Sequence, residues 1–142
     1  MVIKKIKFTD YNGVQREEEF YFNLSKAEIL NLQFSVEGGL YATLKKISTM
    51  KDETKIVNFI QDIILKSYGE KSPDGRRFIK SEELMTNFMQ TEAYSELLIE
   101  LMSDVKKMGE FVKALMPKDI ADNIPENVEE MSFDEIEQLN NK

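Results

Sequence analysis

Residues 68–101 read YGEKSPDGRRFIKSEELMTNFMQTEAYSELLIEL, and this stretch decides the fold. It holds a turn at Ser72–Gly75, whose Ser-Pro-Asp-Gly composition favours chain reversal. Ser81 and Thr91 each precede apolar residues at helical spacing, so each is predicted to be the N-cap of a helix. One apolar helical pattern enters the stretch from upstream and another leaves it downstream. The stretch is therefore predicted to be the hinge of a compact helical domain.

Longer helices are predicted on both sides of this hinge. Upstream, apolar residues at helical spacing predict a helix from a cap at Asp52 to about Tyr68, with Gly69 ending it. Downstream, the helix that begins after Thr91 is predicted to continue to about Leu115. Its buried side would carry the following residues: Tyr94, Leu97, Leu98, Leu101, Met102 and Val105.

The N-terminal third predicts a hairpin followed by a capped helix. Val2–Thr9 alternates apolar and polar residues, Asn12-Gly13 predicts a type I′ turn, and a return strand follows from Gln15 to Asn23. A capping box at Ser25–Glu28 then predicts a helix from Lys26 to about Val36. A second short helix is predicted from the spacing of three apolar residues: Leu40, Leu44 and Ile47.

The fold class predicted from these patterns is α+β, an N-terminal antiparallel β-hairpin packed on a mostly α-helical bundle. Residues 1–117 are predicted to form a single globular domain, with the hairpin in 2–23 and the helices in 26–116. Residues 118–142 contain eight acidic residues and two lysines, so this acidic tail supplies −6 of the chain's net charge of −7. Three interpretations of the tail stay open: a disordered solubilising segment, a segment that docks on its own domain or a neighbouring copy, or a linker for a different protein.

Composition excludes several kinds of site. The chain has neither cysteine nor histidine, which removes disulfides, thiolate zinc sites, cysteine nucleophiles and imidazole general bases. Its acidic residues are scattered, so we expect no enzyme and no cofactor. The nearly neutral body lacks the basic face that nucleic acid requires. No apolar run approaches a membrane span, and no signal peptide is recognisable, so we expect no membrane partner and a cytoplasmic location.

Eight methionines are many for 142 residues, and flexible thioethers suit surfaces that accept several partner helices. The alternative is that they fill an irregular core. The candidate partner-binding residues are the methionines of the helical half and the apolar residues of the tail: Met85, Met89, Met102, Met108, Met131, Phe133, Ile136 and Leu139.

Arg76 and Arg77 follow the turn and form the other candidate site. Such a pair can grip a carboxylate or phosphate, but it is more often a solvated surface or part of internal ion pairs. The Ser72–Gly75 turn lacks the Lys-Ser/Thr ending of a phosphate loop.

Three stretches resemble a known family: ILKSYGEKSPDGRRFIKSEEL at residues 64–84, FMQTEAYSELLIEL at 88–101, and IKFTDYNGVQREEEFYFNLSKAEI at 6–29. Together they make residues 2–116 similar to tail assembly chaperones of tailed phages and prophages of Gram-positive bacteria. The resemblance implies a non-enzymatic protein that binds the long helical tape measure protein in the host cytoplasm while the tail tube polymerises. It also implies a homo-oligomer that coats its client, and it brings no catalytic residues.

Two other functions remain open at this point. One is a structural head–tail or tail-tube component that stays in the virion. The other is a small enzyme or regulator that uses Asp74, Arg76 and Arg77.

Overall fold

The computed structural model describes residues 1–35 and 53–117, and for 32–35 it describes the backbone. Within these ranges the elements follow in the order β1 Val2–Thr9, β2 Gln15–Phe22, α1 Lys26–Ser35, α2 Glu53–Ser67, β3 Tyr68–Lys71, β4 Phe78–Ile79, α3 Glu82–Met89, α4 Glu92–Met102 and α5 Val105–Ala114.

The N-terminal hairpin forms as its alternation predicts. β1 and β2 pair antiparallel along their whole length, from Val2 opposite Phe22 to Thr9 opposite Gln15. Lys5 lies opposite Glu19, and Lys7 lies opposite Glu17, so the solvent face of the hairpin carries cross-strand pairs of opposite charge.

The turn of this hairpin is not the type I′ turn that Asn12-Gly13 predicts. Only Gly13 has a positive φ, of 80°, whereas a type I′ turn requires a positive φ at both central residues. The Gly13 N–H donates to the carbonyl of Asp10 at 3.0 Å, and the Asp10 N–H donates to the carbonyl of Val14 at 2.9 Å. The carboxylate of Asp10 also accepts from the N–H groups of Asn12 and Val14. Because Asp10 organises the loop, a longer turn with a glycine bulge replaces the two-residue one.

The sheet has four strands in the order β1-β2-β3-β4 and therefore extends beyond the predicted hairpin. β3 starts immediately after α2 and pairs antiparallel with β2 only at Tyr21–Gly69 and Phe22–Tyr68. β4 pairs with β3 through Glu70–Ile79 and Lys71–Phe78. Gly69 permits this arrangement, because a Cβ there would lie 2.6 Å from the carbonyl oxygen of Ile79.

Local capping signals place the helix starts correctly. The capping box is complete: the Glu28 N–H donates to Ser25 Oγ at 3.2 Å, and the Ser25 N–H donates to Glu28 Oε1 at 2.9 Å. Ser81 accepts from the N–H of Leu84 at 3.1 Å, and Thr91 caps α4 in the same way.

The helix that follows Thr91 is broken, unlike the continuous helix predicted. α4 ends at Met102, and Asp104 starts α5 by accepting a hydrogen bond from the N–H of Lys106 at 2.9 Å. The break changes the helical phase, and Val105, predicted to be buried, is 52% exposed.

The core lies between one face of the sheet and helices α2 to α5. Phe22 is fully buried at its centre, with ring centroids of Tyr68, Phe88 and Phe111 at 5.6–5.7 Å. Tyr68 stacks on Phe88 with centroids 4.3 Å apart. The other fully buried side chains are aliphatic or small: Ile60, Ile64, Ala93, Leu97, Leu101, Met108, Leu115 and Ser67.

The predicted α+β class, a hairpin with a set of helices, is confirmed. The predicted cap at Asp52, the short helix at Leu40, Leu44 and Ile47, and the tail 118–142 lie outside the described residues. Within the described ranges, no helix is both long and apolar enough to cross a membrane.

Candidate partner-binding surfaces

The predicted methionines do not form one cluster. Met85 is half-buried and Met89 is 42% exposed, one turn later on α3. Met102 lies at the far end of α4, so the helix separates it from Met89 by roughly 15 Å. Met108 is 1% exposed and is part of the core. The remaining candidates, Met131, Phe133, Ile136 and Leu139, lie outside the described residues, and partner binding by the set stays a prediction.

The turn between α4 and α5 exposes an apolar corner, of which the sequence indicated only Met102 as a partner-binding candidate. Ile99 is 64% exposed and Val105 is 52% exposed, while Met102, one turn after Ile99, is half-buried against the core. We call these three residues the α4–α5 corner. The Asp104 cap is the signal that reveals it, because a new helix that starts there takes Val105 out of the buried stripe.

Arg76 and Arg77 lie in the turn that connects β3 to β4. The turn is held by its own hydrogen bonds: Ser72 Oγ donates to Asp74 Oδ1 at 2.7 Å, and the Arg76 N–H donates to the same oxygen at 3.0 Å. These bonds hold the pKa of Asp74 below its usual value. Both guanidinium groups are exposed, and neither forms an ion pair with a carboxylate of the described ranges. Asp74 is thus engaged in shaping the turn, and the arginines lie at the surface.

The base of the hairpin is tied to the body by half-buried polar contacts. Lys80 Nζ lies 2.6 Å from Glu28 Oε2 and donates to the carbonyl of Asn23 at 2.7 Å. Burial raises the pKa of Glu28, but hydrogen bonds from Lys80 and from the N–H of Ser25 outweigh it and lower that pKa. Lys4 on β1 pairs with Glu100 on α4 at 2.9 Å. The connection from β2 to α1 and the inner face of β1 are therefore both fixed to the body.

The outer half of β2 is charged, and its edge away from β1 has no partner strand among the residues that the structure describes. Asp10 and Val14 form a hydrogen-bonded pair, so by alternation Gln15, Glu17 and Glu19 direct their N–H and C=O groups away from β1. β3 occupies that edge only from Tyr21 onward.

A groove of about 660 Å³ lies where β3 departs from β2. Its walls are Glu18–Tyr21 on one side and Tyr68–Gly75 on the other. Carboxylates dominate the charged residues that line it, with Lys71 as the lysine among them. In the described ranges, no group of three or more acidic residues is arranged to hold a metal ion.

A family model described as phage tail assembly chaperone matches residues 1–141. The match covers every residue that the structure describes. Comparison with curated proteins gives no match, and comparison with solved structures gives none either.

Proposed function

The chain belongs to the phage tail assembly chaperone family, and from this premise we propose that it binds the tape measure protein during tail assembly. The observation that carries the proposal is the extent of the family match, residues 1–141. We further propose that it acts as a homo-oligomer in the host cytoplasm, without catalysing a reaction.

The exposed apolar side chains of the helical half support binding of a helical client. An amphipathic helix docks through apolar residues at its i, i+3, i+4 and i+7 positions, and it needs apolar side chains on the receiving surface. Met89, with Met85 one turn before it, supplies one such surface on α3, and the α4–α5 corner supplies another. These surfaces are on neighbouring helices, because α4 follows α3 after a short turn.

Co-expression with the tape measure protein tests the proposal directly. The client is expected to be largely insoluble alone and soluble when this chain is produced with it. If the client is equally insoluble with and without this chain, the proposed function is wrong.

Two valines with the same exposed fraction provide a matched pair of substitutions that tests where the client binds. Val105 in the α4–α5 corner and Val14 near the hairpin turn are each 52% exposed. We expect Val105→Asp to weaken client binding about tenfold, since a charge in a desolvated contact typically costs more than about 1 kcal/mol. Val14→Asp carries the same chemical change and should keep wild-type binding. Equal binding by both variants would place the client elsewhere while leaving client binding itself intact.

The composition of finished particles separates this function from that of a virion component. Mass spectrometry of purified phage should find the tail tube proteins and not this chain. Its presence there in stoichiometric amounts would contradict an assembly role limited to the cytoplasm.

A further inference from the structure

Besides the outer edge of the two-residue strand β4, two strand edges of the sheet have no partner among the described residues. One is the outer edge of β1, the first strand in the order β1-β2-β3-β4. The other is the stretch Gln15–Glu19 of β2, because β3 pairs only with Tyr21 and Phe22. Outside the β1–β2 ladder, no hydrogen bond in the described ranges reaches the backbone of Gln15, Glu17 or Glu19. Both edges therefore offer backbone donors and acceptors to another strand.

The backbone of β1 offers its free groups at complementary positions. Since Val2, Lys4, Ile6 and Phe8 form the hydrogen-bonded pairs with β2, alternation directs the backbone groups of Ile3, Lys5 and Lys7 outward. α4 packs on the inner face of β1, where Lys4 meets Glu100, so this helix contacts the face rather than replacing a neighbouring strand.

The two edges carry opposite charges. Lys5 and Lys7 are exposed on β1, and Glu17, Glu18 and Glu19 are exposed on β2. Pairing β1 with another β1 would put lysines opposite lysines, and pairing β2 with another β2 would put glutamates opposite glutamates. Like charges opposite each other destabilise a strand pair, whereas opposite charges stabilise it. The charges thus discriminate against symmetric pairing and favour β1 with β2.

We propose that the free edge of β2 receives β1 of a second copy of this chain, so that the sheets of successive copies join head to tail. The inference deepens the proposed self-association and rests on it. The contact would repeat between copies the lysine–glutamate pairing that each hairpin already shows, where Lys5 Nζ lies 3.4 Å from Glu17 Oε1.

The position of β3 limits the length of this contact. β3 occupies the edge of β2 from Tyr21, and the 660 Å³ groove opens beside Glu18–Tyr21 just before that point. The incoming strand therefore pairs with about five residues of β2 and ends at the groove. Because the two surfaces of such a contact differ, it is heterologous and leaves a free edge at each end for the next copy.

Sedimentation velocity of the full chain, without client, tests the inference. At low salt we expect species larger than a dimer that grow with concentration, and at about 0.5 M salt we expect their partial dissociation, since exposed charges are screened. A chain that stays monomeric at low salt and high concentration overturns the inference.

Charge reversal on each edge provides the decisive comparison. The K5E/K7E variant has two acidic edges and the E17K/E19K variant has two basic edges, so each alone should associate at least about tenfold more weakly than wild type. An equimolar mixture brings an acidic β1 to a basic β2 and a basic β1 to an acidic β2. The mixture should regain association, which misfolded variants would not do. A mixture that stays monomeric, or variants that associate as wild type does, overturns the inference.

The D62K/K66E variant serves as the matched control. It reverses an exposed ion pair of 2.8 Å on α2, away from both edges, and should associate as wild type does. Because all these measurements omit the client, a failure of edge pairing is distinguishable from a failure of client binding, which the co-expression test reports separately.

Discussion

The two halves of β2 differ sharply although they are consecutive in one strand. The half Phe20–Phe22 packs in the core. Phe22 is fully buried, and the ring centroids of Phe20 and Phe88 are 5.2 Å apart. The half Gln15–Glu19 lies toward the hairpin tip, and every residue in it is exposed. A single regular element thus anchors the fold at one end and presents charge at the other. The difference shows that strand pairing alone does not determine burial, because β1 pairs with both halves equally.

Among variants that test this difference, replacement of Phe22 by alanine should cause the largest loss of stability. Phe22 contacts three other aromatic rings and has no exposed surface, so we expect Phe22→Ala to lower the free energy of unfolding by about 3–5 kcal/mol. Urea denaturation measures the change. Glu18→Ala in the exposed half should cost less than about 0.5 kcal/mol. Comparable losses in the two variants would mean that the halves do not differ in energy as they do in burial.

Gly69→Ala tests the packing of β3, the strand that pairs with the buried half of β2. The new Cβ would lie 2.6 Å from the carbonyl oxygen of Ile79 and from Phe78 Cε2, so β4 would have to move. We expect a loss of about 1–3 kcal/mol in urea denaturation, as in other overpacked sites. Gly13→Ala at the exposed turn meets no atom within 4 Å and should cost about 1 kcal/mol through its positive φ alone. A smaller loss at Gly69 than at Gly13 would contradict the close packing of β3 and β4.

Lys80→Met should cause an intermediate loss of stability, and the size of that loss should depend on pH. It removes the contacts of Lys80 with Glu28 and with the Asn23 carbonyl, for a loss of about 1 kcal/mol at neutral pH. The pKa of Glu28 is lowered from 4.5 in the fold, so the ionised carboxylate stabilises the protein above that pH, and this contribution is lost as the pH falls through the lowered pKa.

Urea denaturation of both proteins from neutral pH to about pH 3 measures this dependence. The wild type should lose more stability than Lys80→Met below about pH 4.5, so the two curves converge in acid. Parallel curves would show that Lys80 does not set the ionisation of Glu28.

Asp10→Asn at the hairpin tip should have the smallest effect of these variants on the free energy of unfolding. The hydrogen bond from Arg16 and those from the backbone of Val14 and Asn12 lower the pKa of Asp10. Ionised Asp10 therefore stabilises the protein above the usual Asp pKa, and this contribution is lost as the pH falls through the lowered pKa. NMR titration of Asp10 measures the pKa, and Arg16→Gln should raise it toward the usual value. An unchanged pKa in that variant would show that Arg16 has no part in the tip.

The parts of the fold that the sequence predicted are those decided by residues close together in the chain. The capping box of Ser25 and Glu28 closes within three residues, and the alternation of β1 is visible in eight. β3 has no such local signal, since Tyr-Gly-Glu-Lys is short and its pairing with β2 depends on Gly69 meeting Tyr21 from a distant part of the chain. The type I′ turn was wrongly predicted because Asp10 accepts two loop N–H groups and stabilises a longer turn.

The candidate surfaces were predictable to a smaller degree. Methionine content identified Met85 and Met89 as surface candidates, but the same reasoning included Met108, which lies in the core. Val105 was wrongly predicted to be buried, because apolar periodicity alone does not separate a continuous helix from two helices that meet at a cap. Ile99 was not among the predicted surface residues. The charges of the β2 edge are visible in the sequence, but whether that edge is free depends on where β3 ends its pairing.

The connection between β2 and α1 has a consequence for the order in which the molecule folds. The N–H of Leu24 donates to the carbonyl of Leu115 at 3.0 Å, and the N–H of Asn23 donates to that of Ser67 at 2.8 Å. During synthesis the hairpin is made before the helices that follow it, but its last residues bond to groups made much later. Contacts between distant parts of a chain slow folding, because the intervening loop must close first. The end of the hairpin therefore becomes fixed in place only after the segment containing Leu115 has been made.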